Sequence, residues 1–137
     1  MKVMKYVSVL VLTAGLLLIN KNTFSQFNKI TVNVWKGIAS YYHPKFNGRK
    51  TSNGEIFSNE KLTCANNFLR LGTYLLVSNM KNGKSVIVKV NDRMSPRNKR
   101  LIDLSQAAAS KLGFLNQGVG EVRIQVLTDE EGNIAYN

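Results

Sequence analysis

Apolar and polar residues alternate along several short stretches of the chain, which is the pattern of β-strands with one buried face. In the stretch from Val86 to Val90, every second residue is a valine, and Ile87 and Lys89 face the opposite side. Similar stretches, rich in β-branched and aromatic residues, predict further strands at residues 34–42, 72–79, 101–104 and 118–127. All of these segments are short, and no stretch between them is long enough to suggest a second core.

Turn and helix signals separate the predicted strands. Asn-Gly pairs at 47–48, 53–54 and 82–83 are strong turn signals, and the last of them predicts a β-hairpin. Residues 105–113 predict a helix, because Ser105 can cap it, three alanines favour it and Gly113 can end it. Residues 60–65 suggest a short helical turn, and residues 129–137 a polar C-terminal tail. The chain is therefore predicted to be mostly β, a small barrel with one or two short helices.

The N-terminus predicts an exported protein. Lys2 and Lys5 precede an apolar run at residues 6–19, and Ser25 is a small residue at a plausible cleavage point. We therefore expect residues 1–25 to be a signal peptide and 26–36 to be an N-terminal tail that includes the start of the first strand. An uncleaved membrane anchor is the alternative, although the run is shorter than the roughly 20 residues that a spanning helix needs.

The charge balance favours an anionic partner. The chain has 19 lysines and arginines against 8 acidic residues, a formal net charge of +11. For an exported protein this indicates cell-envelope polymers or lipid head groups and argues against nucleic acid; simple solubility is the alternative explanation. Cys64 is the only cysteine and His43 the only histidine, so we expect no internal disulfide, no metal site and no cofactor.

Two carboxylates stand out as candidate reacting groups. Asp92 follows a strand of apolar residues, and Glu55 ends a glycine-rich loop. A carboxyl group at the edge of an apolar barrel is partly desolvated, which predicts a raised pKa suited to a general acid. A turn-capping role for Asp92 is the common alternative. Nearby Tyr41 and Tyr42 are candidates for stacking on sugar rings, although core packing is the more frequent fate of aromatic residues.

Several motifs in order resemble one known family. The segments GIASYYHPKFNGRKTSNGEIF, LTCANNFLRLGTYLLVSNMKNGKSVIVKVNDR and RLIDLSQAAASKLGFLNQGVGEVRIQVL resemble the RlpA-like (rare lipoprotein A) double-psi β-barrel domain, over residues 37–128. The resemblance implies a six-stranded barrel and an endolytic peptidoglycan transglycosylase that prefers glycan strands without stem peptides. It also implies a place in the periplasm or cell envelope. The leader lacks the family's usual lipid-attachment cysteine, so no stable membrane anchor is expected after the leader is removed.

The resemblance carries functional roles to matching positions. Asp92 of Val-Asn-Asp-Arg and Glu55 of Gly-Glu match the family's two key carboxylates, and Glu55 is expected to bind substrate or share the proton. We further expect substrate contacts from Tyr41, Tyr42, Arg49, Thr51, Asn66 and Arg93. Asn66 stands where many members have a histidine, and an asparagine cannot transfer a proton.

Two functional alternatives stay open. The first is an expansin-like module that binds peptidoglycan without cleaving it. The second is an inhibitor or a partner of other cell-envelope or division proteins, acting through the basic loop 93–100.

Overall fold

The computed structural model describes residues 32–137, so the predicted signal peptide lies outside the described residues. Six strands and two α-helices follow one another along this part of the chain. The strands are β1 (Val34–Tyr41), β2 (Thr63–Ala65), β3 (Tyr74–Asn79), β4 (Ser85–Asp92), β5 (Ile102–Leu104) and β6 (Val119–Val126). The helices are α1 (Gln106–Leu112) and α2 (Asp129–Tyr136), and a short 3-10 turn spans Pro44–Phe46.

The six strands close into a barrel in the order β1-β5-β2-β4-β3-β6. Strand β1 pairs parallel with β5, and β2 pairs parallel with β4. The other four pairs are antiparallel, including the predicted hairpin of β3 and β4. The predicted six-stranded barrel is therefore confirmed. The two parallel pairs join strands that are distant in sequence, and the second of them brings the end of β2 beside the end of β4, where Ala65 is opposite Asp92.

The barrel interior is apolar and closed by α1. Side chains from all six strands pack with Ala108, Ala109 and Leu112 of this helix. The helix has the predicted caps, since the Ser105 hydroxyl accepts from the Ala108 amide and Gly113 adopts a left-handed conformation. Cys64 is fully buried, and burial raises the pKa of its thiol, as expected for an inert core cysteine.

Two segments differ from the sequence-based prediction. Residues 63–65 form strand β2 and not a helical turn, because each of its neighbours, β4 and β5, supplies backbone partners that local sequence cannot reveal. The segment 129–137, predicted as a polar tail, forms α2. A capping box between Thr128 and Glu131 starts this helix, and Gly132 lets it pack closely on Tyr74. Within residues 32–137, neither helix has the length and apolar character needed to cross a membrane.

Candidate active site

A β-bulge aims Asp92 out of the end of strand β4. Cys64 of β2 is opposite Val90, but the next residue, Ala65, is opposite Asp92, so Asn91 is the extra residue. A bulge of this kind bends the strand and redirects the side chain that follows it. The Val86–Val90 alternation thus ends in a buried Asn91 and a half-buried Asp92 at the barrel's edge.

The Asp92 carboxylate accepts a hydrogen bond on each oxygen. The Tyr42 hydroxyl donates to Oδ2 at 2.6 Å. On Oδ1, the Ser52 amide donates at 3.0 Å, the Ser52 hydroxyl at 2.8 Å and the Arg93 amide at 2.8 Å. Hydrogen bonds donated to a carboxylate stabilise its charged form.

These donors overturn the expectation of a raised pKa for Asp92. Burial raises the pKa of this carboxyl, but the bonds from Tyr42, Ser52 and the Arg93 amide together outweigh burial and lower it below its ordinary value. The sequence-based prediction counted desolvation and did not include the donors. Asp92 is therefore a carboxylate at neutral pH in the free protein. The pKa of Tyr42 is raised, chiefly by its own burial and then by its bond to Asp92, so the phenol keeps its proton.

Asp92 faces a cavity of about 520 Å³ at the end of the barrel. Strand β1, the 3-10 turn and the loop after β4 supply the walls, and Lys45 and Arg93 bring positive charge. A second carboxylate, that of Asp103, lines the same cavity. Arg100 holds it with two bonds, Nε to Oδ1 at 2.7 Å and Nη2 to Oδ2 at 3.0 Å.

Aromatic rings form one side of this region. Tyr42 packs against Phe57 and Phe46, with ring centroids 4.3 and 5.5 Å away. Arg49 lies over the Phe46 ring at 5.3 Å and, with Tyr42 and Asp92, lines a smaller cavity of about 240 Å³. The Tyr41 hydroxyl donates to the Leu115 carbonyl at 2.7 Å while its side chain lines the larger cavity.

Arg93 is oriented by the backbone at the end of β2. Its Nη1 donates to the Asn66 carbonyl at 2.6 Å, and its side chain lines the Asp92 cavity. Of the eight residues predicted to act in the site, Asp92, Tyr41, Tyr42, Arg49 and Arg93 therefore lie around one region.

Glu55 lies elsewhere. It lines a separate cavity of about 490 Å³ with Lys61, Lys89 and Tyr136. Its Oε2 accepts from Asn91 Nδ2 at 3.2 Å, and its Oε1 accepts from Asn53 Nδ2 at 2.9 Å. These bonds, Asn91 first, lower the pKa of Glu55. The two acids line different cavities, and no hydrogen bond joins their carboxylates in residues 32–137, so the sharing of a proton between Glu55 and Asp92 stays a prediction.

Two further residues that were predicted to bind substrate, Asn66 and Thr51, are buried and hydrogen-bonded within the protein. Asn66 is fully buried; its Oδ1 accepts from the Phe68 and Leu69 amides and its Nδ2 donates to the Leu101 carbonyl. Thr51 is 6% exposed, and its hydroxyl lies 2.6 Å from Asn53 Oδ1 and 3.0 Å from the Glu55 carbonyl. The polar atoms of both side chains bond to groups inside the protein. They are therefore not available for direct contact with substrate, contrary to the prediction.

Sequence reasoning missed three residues of the site. Ser52 makes two of the four bonds to Asp92, Asn91 forms the bulge, and Asp103 adds the second carboxylate. Ser52 adjoins the Asn53-Gly54 turn signal, which marked the loop but not its partner. Asp103 lies within the predicted strand 101–104, and a carboxylate between apolar residues of a strand was a signal for a specific partner.

Named relatives match most of the chain. It is 46% identical over 101 residues to the endolytic peptidoglycan transglycosylase RlpA of Haemophilus influenzae, covering 73% of this chain and 35% of that protein. It is 44% identical over 118 residues to the RlpA of Neisseria meningitidis serogroup B, covering 85% of this chain and 47% of that protein. The chain thus spans between a third and a half of the length of these relatives.

Structural and family comparisons agree on the barrel. A crystal structure of the apo expansin of Clavibacter michiganensis superposes with a TM-score of 0.58 at 23% identity, covering 71% of this chain and 52% of the expansin. This likeness concerns the fold. The family model described as lytic transglycolase matches residues 34–124, which include strands β1 to β5, most of β6 and the residues around Asp92. The chain therefore belongs to the lytic transglycolase family of double-psi β-barrel domains.

Proposed function

We propose that this chain is an endolytic peptidoglycan transglycosylase that cleaves glycan strands, preferably those without stem peptides, and leaves 1,6-anhydromuramyl ends. The observation that carries the proposal is the Asp92 carboxylate, fixed by four donated hydrogen bonds in an aromatic-lined cavity. The relatives named RlpA bear this activity in their names. Because the chain spans less than half of the length of each of these relatives, their activity is proposed for it and not assigned from their names.

One ionised carboxylate can carry the proton that this reaction moves. Asp92 accepts the proton of the muramyl C6 hydroxyl while O6 attacks C1 and the bond between C1 and the leaving C4 oxygen breaks. Asp92 then gives the same proton to that oxygen, so no water is consumed and the carboxylate is regenerated. Its negative charge also stabilises the oxocarbenium-like transition state of glycoside cleavage.

Surrounding residues have supporting roles in this proposal. Tyr41 and Tyr42 provide ring surfaces for the sugar, and Arg49 and Arg93 hydrogen-bond its polar groups. Glu55 acts as a positioning residue. It fixes the end of the loop 51–55 through Asn53 and Asn91, and this loop presents Ser52 to Asp92.

The test is product analysis on purified glycan strands stripped of peptides. We expect mass spectrometry to detect anhydromuramyl ends without incorporation of ¹⁸O from labelled water, and Asp92→Asn to abolish them while the variant stays folded. Glu55→Gln keeps the size of the side chain but offers one acceptor oxygen to two donors, Asn53 and Asn91, so it should reduce the rate only partly. Full product release by Asp92→Asn, or ¹⁸O in the product, would contradict the mechanism.

A non-catalytic, expansin-like peptidoglycan-binding module is the second candidate. Asn66 favours it, because a buried asparagine replaces a histidine that many family members carry. Pull-down on purified sacculi separates the candidates, since this module binds sacculi and releases no anhydro ends.

The location follows from the proposed substrate. We propose export to the periplasm or cell envelope, with residues 1–25 as a cleaved leader and without a stable membrane anchor afterwards. Other cell-envelope or division proteins are proposed partners at the basic loop 93–100, where Arg97→Glu with Lys99→Glu should abolish partner capture and spare glycan cleavage.

A further inference from the structure

The cavity lined by Glu55 is separate from the cavity lined by Asp92. It measures about 490 Å³ and shares no lining residue with the Asp92 cavity. Residues of three parts of the fold line it: Glu55 from the loop, the segment Lys61–Thr63 with Lys89 from the barrel, and Tyr136 from α2. Tyr136 lies outside residues 34–124, to which the family model matches, so the helix α2 adds a wall that the family match does not include.

The charges in this cavity are not balanced by contact. Lys61 and Lys89 both lower the pKa of Glu55 through space, yet neither is within ion-pair distance of it. The two ion pairs found among residues 32–137 are Arg70 with Asp129 and Arg100 with Asp103. Two ammonium groups beside a single carboxylate leave a net positive charge, which favours an anionic group in the space between them.

Two asparagines position the Glu55 carboxylate. Asn53 and Asn91 each donate to one of its oxygens, which holds it at the edge of the cavity. The Lys89 ammonium also lies 5.4 Å from the centroid of the Tyr74 ring, which limits where it can point.

A second, independent feature of the cavity is an unpaired hydroxyl. Thr63 lines the cavity, is 3% exposed, and its Oγ1 is buried without a hydrogen-bond partner in the described part of the chain. A buried hydroxyl without a partner has lost its hydrogen bonds to water and gained none in return, so native proteins rarely leave one without a reason. This oxygen is covered in the free protein, so a ligand oxygen would reach and satisfy it after a small movement of the cavity wall. The phenol of Tyr136 is a further donor on the same wall.

We propose that this cavity is a second binding site, which takes a carboxylate-bearing group of the peptidoglycan between Lys61 and Lys89. The proposal rests on the proposed function for the identity of the polymer. Two sources offer this chemistry: the lactyl carboxylate of a muramyl residue without a stem peptide, and the terminal carboxylate of a stem peptide. A second site of this kind holds the polymer on the barrel while Asp92 acts in its own cavity.

Small probes separate the two sources. N-acetylmuramic acid carries the lactyl carboxylate, N-acetyl-D-alanyl-D-alanine carries a peptide carboxylate, and N-acetylglucosamine is the sugar without either. NMR titration of the full-length protein, read at the amides of Thr63 and Lys89, reports binding at this cavity. We expect one of the two carboxylate probes to bind about tenfold more tightly than N-acetylglucosamine, the loss expected when a charged contact is absent.

Paired lysine variants provide the control. Lys61→Gln with Lys89→Gln should abolish the preference for the carboxylate probe. Lys36→Gln with Lys111→Gln removes the same charge from exposed positions elsewhere and should leave it unchanged. Equal loss in both double variants would mean that general charge attraction is responsible, and would overturn the site.

Thr63→Val distinguishes a ligand contact from a structural one. Because the hydroxyl has no partner within the protein, its removal should leave the free energy of unfolding unchanged or raise it, and should weaken the carboxylate probe. A marked loss of stability with unchanged binding would contradict the proposal, as would the failure of both carboxylate probes to shift these amides. Probe binding without anhydro products would leave this site intact and refute the proposed catalysis.

Discussion

Tyr42→Phe tests the hydrogen bond that fixes the Asp92 carboxylate most tightly. The substitution removes the 2.6 Å O–H···O contact to Oδ2 and keeps the ring that packs on Phe57 and Phe46. A hydrogen bond to a charged group contributes about 1.5–3 kcal/mol, and Asp92 is only half-buried, so solvent screening favours about 1.5 kcal/mol. In the transition state the same loss of orientation should reduce kcat about tenfold, since each 1.4 kcal/mol is a factor of ten.

The sign of the pH dependence identifies the source of this energy. A carboxyl group whose pKa is lowered by folding stabilises the folded protein. This stabilisation is fully present above the ordinary aspartate pKa of about 3.9, and it disappears as the pH falls through the lower pKa of the folded state. Urea unfolding should therefore show Tyr42→Phe to be less stable than the parent at pH 7. The difference should shrink below the titration of Asp92, because both proteins then carry a protonated carboxyl group.

A matched control is available in Tyr74→Phe. The Tyr74 hydroxyl donates to the uncharged Asn133 Oδ1 at 2.9 Å, so its loss should cost the same at both pH values. If Tyr42→Phe also lost equal stability at pH 7 and at low pH, the bond to an ionised Asp92 would not be the source, and the reasoning about its lowered pKa would be refuted.

Two other substitutions test the corrected parts of the structure. Asn66→Ala removes three buried hydrogen bonds and should lower the free energy of unfolding by about 2–3 kcal/mol in urea titrations, whereas a small stability change with a raised KM would restore a substrate-binding role. Gly132→Ala would place a Cβ against the Tyr74 ring with no room for it, so it should displace α2 at a cost of about 1–3 kcal/mol, seen as lost helical circular dichroism. Unchanged helicity and stability would show that α2 does not pack there.

The regular elements were predictable because their signals are local. The alternating valines of β4, the Asn82-Gly83 turn and the Ser105 and Gly113 caps of α1 each act within a few residues. Closure of the barrel was anticipated through resemblance to a family and not through periodicity, since the parallel pairs join strands that are distant in sequence. Strand β2 has three residues, too few to display a period of two.

The site was harder to predict because its chemistry depends on contacts between distant segments. Asp92 was found from its position at the end of a strand, but its ionisation depends on Ser52, 40 residues away, and on Tyr42, 50 residues away. Asn91, the extra residue of the bulge, hydrogen-bonds Glu55 beside Asp92, which no alternation pattern could show. Motifs therefore identified the residues, and the tertiary structure decided their pairing.

Direct titration of the Asp92 side chain tests the central claim that this residue is held as an anion. Carbon-detected NMR of the ¹³C-labelled carboxyl group, with Asp92→Asn used to assign the signal, gives its midpoint in the free protein. We expect a midpoint below the ordinary aspartate value of about 3.9, shifted upward in Tyr42→Phe. A midpoint above that value in the parent protein would mean that burial dominates over the four donors, and the proposed proton acceptor would be wrong.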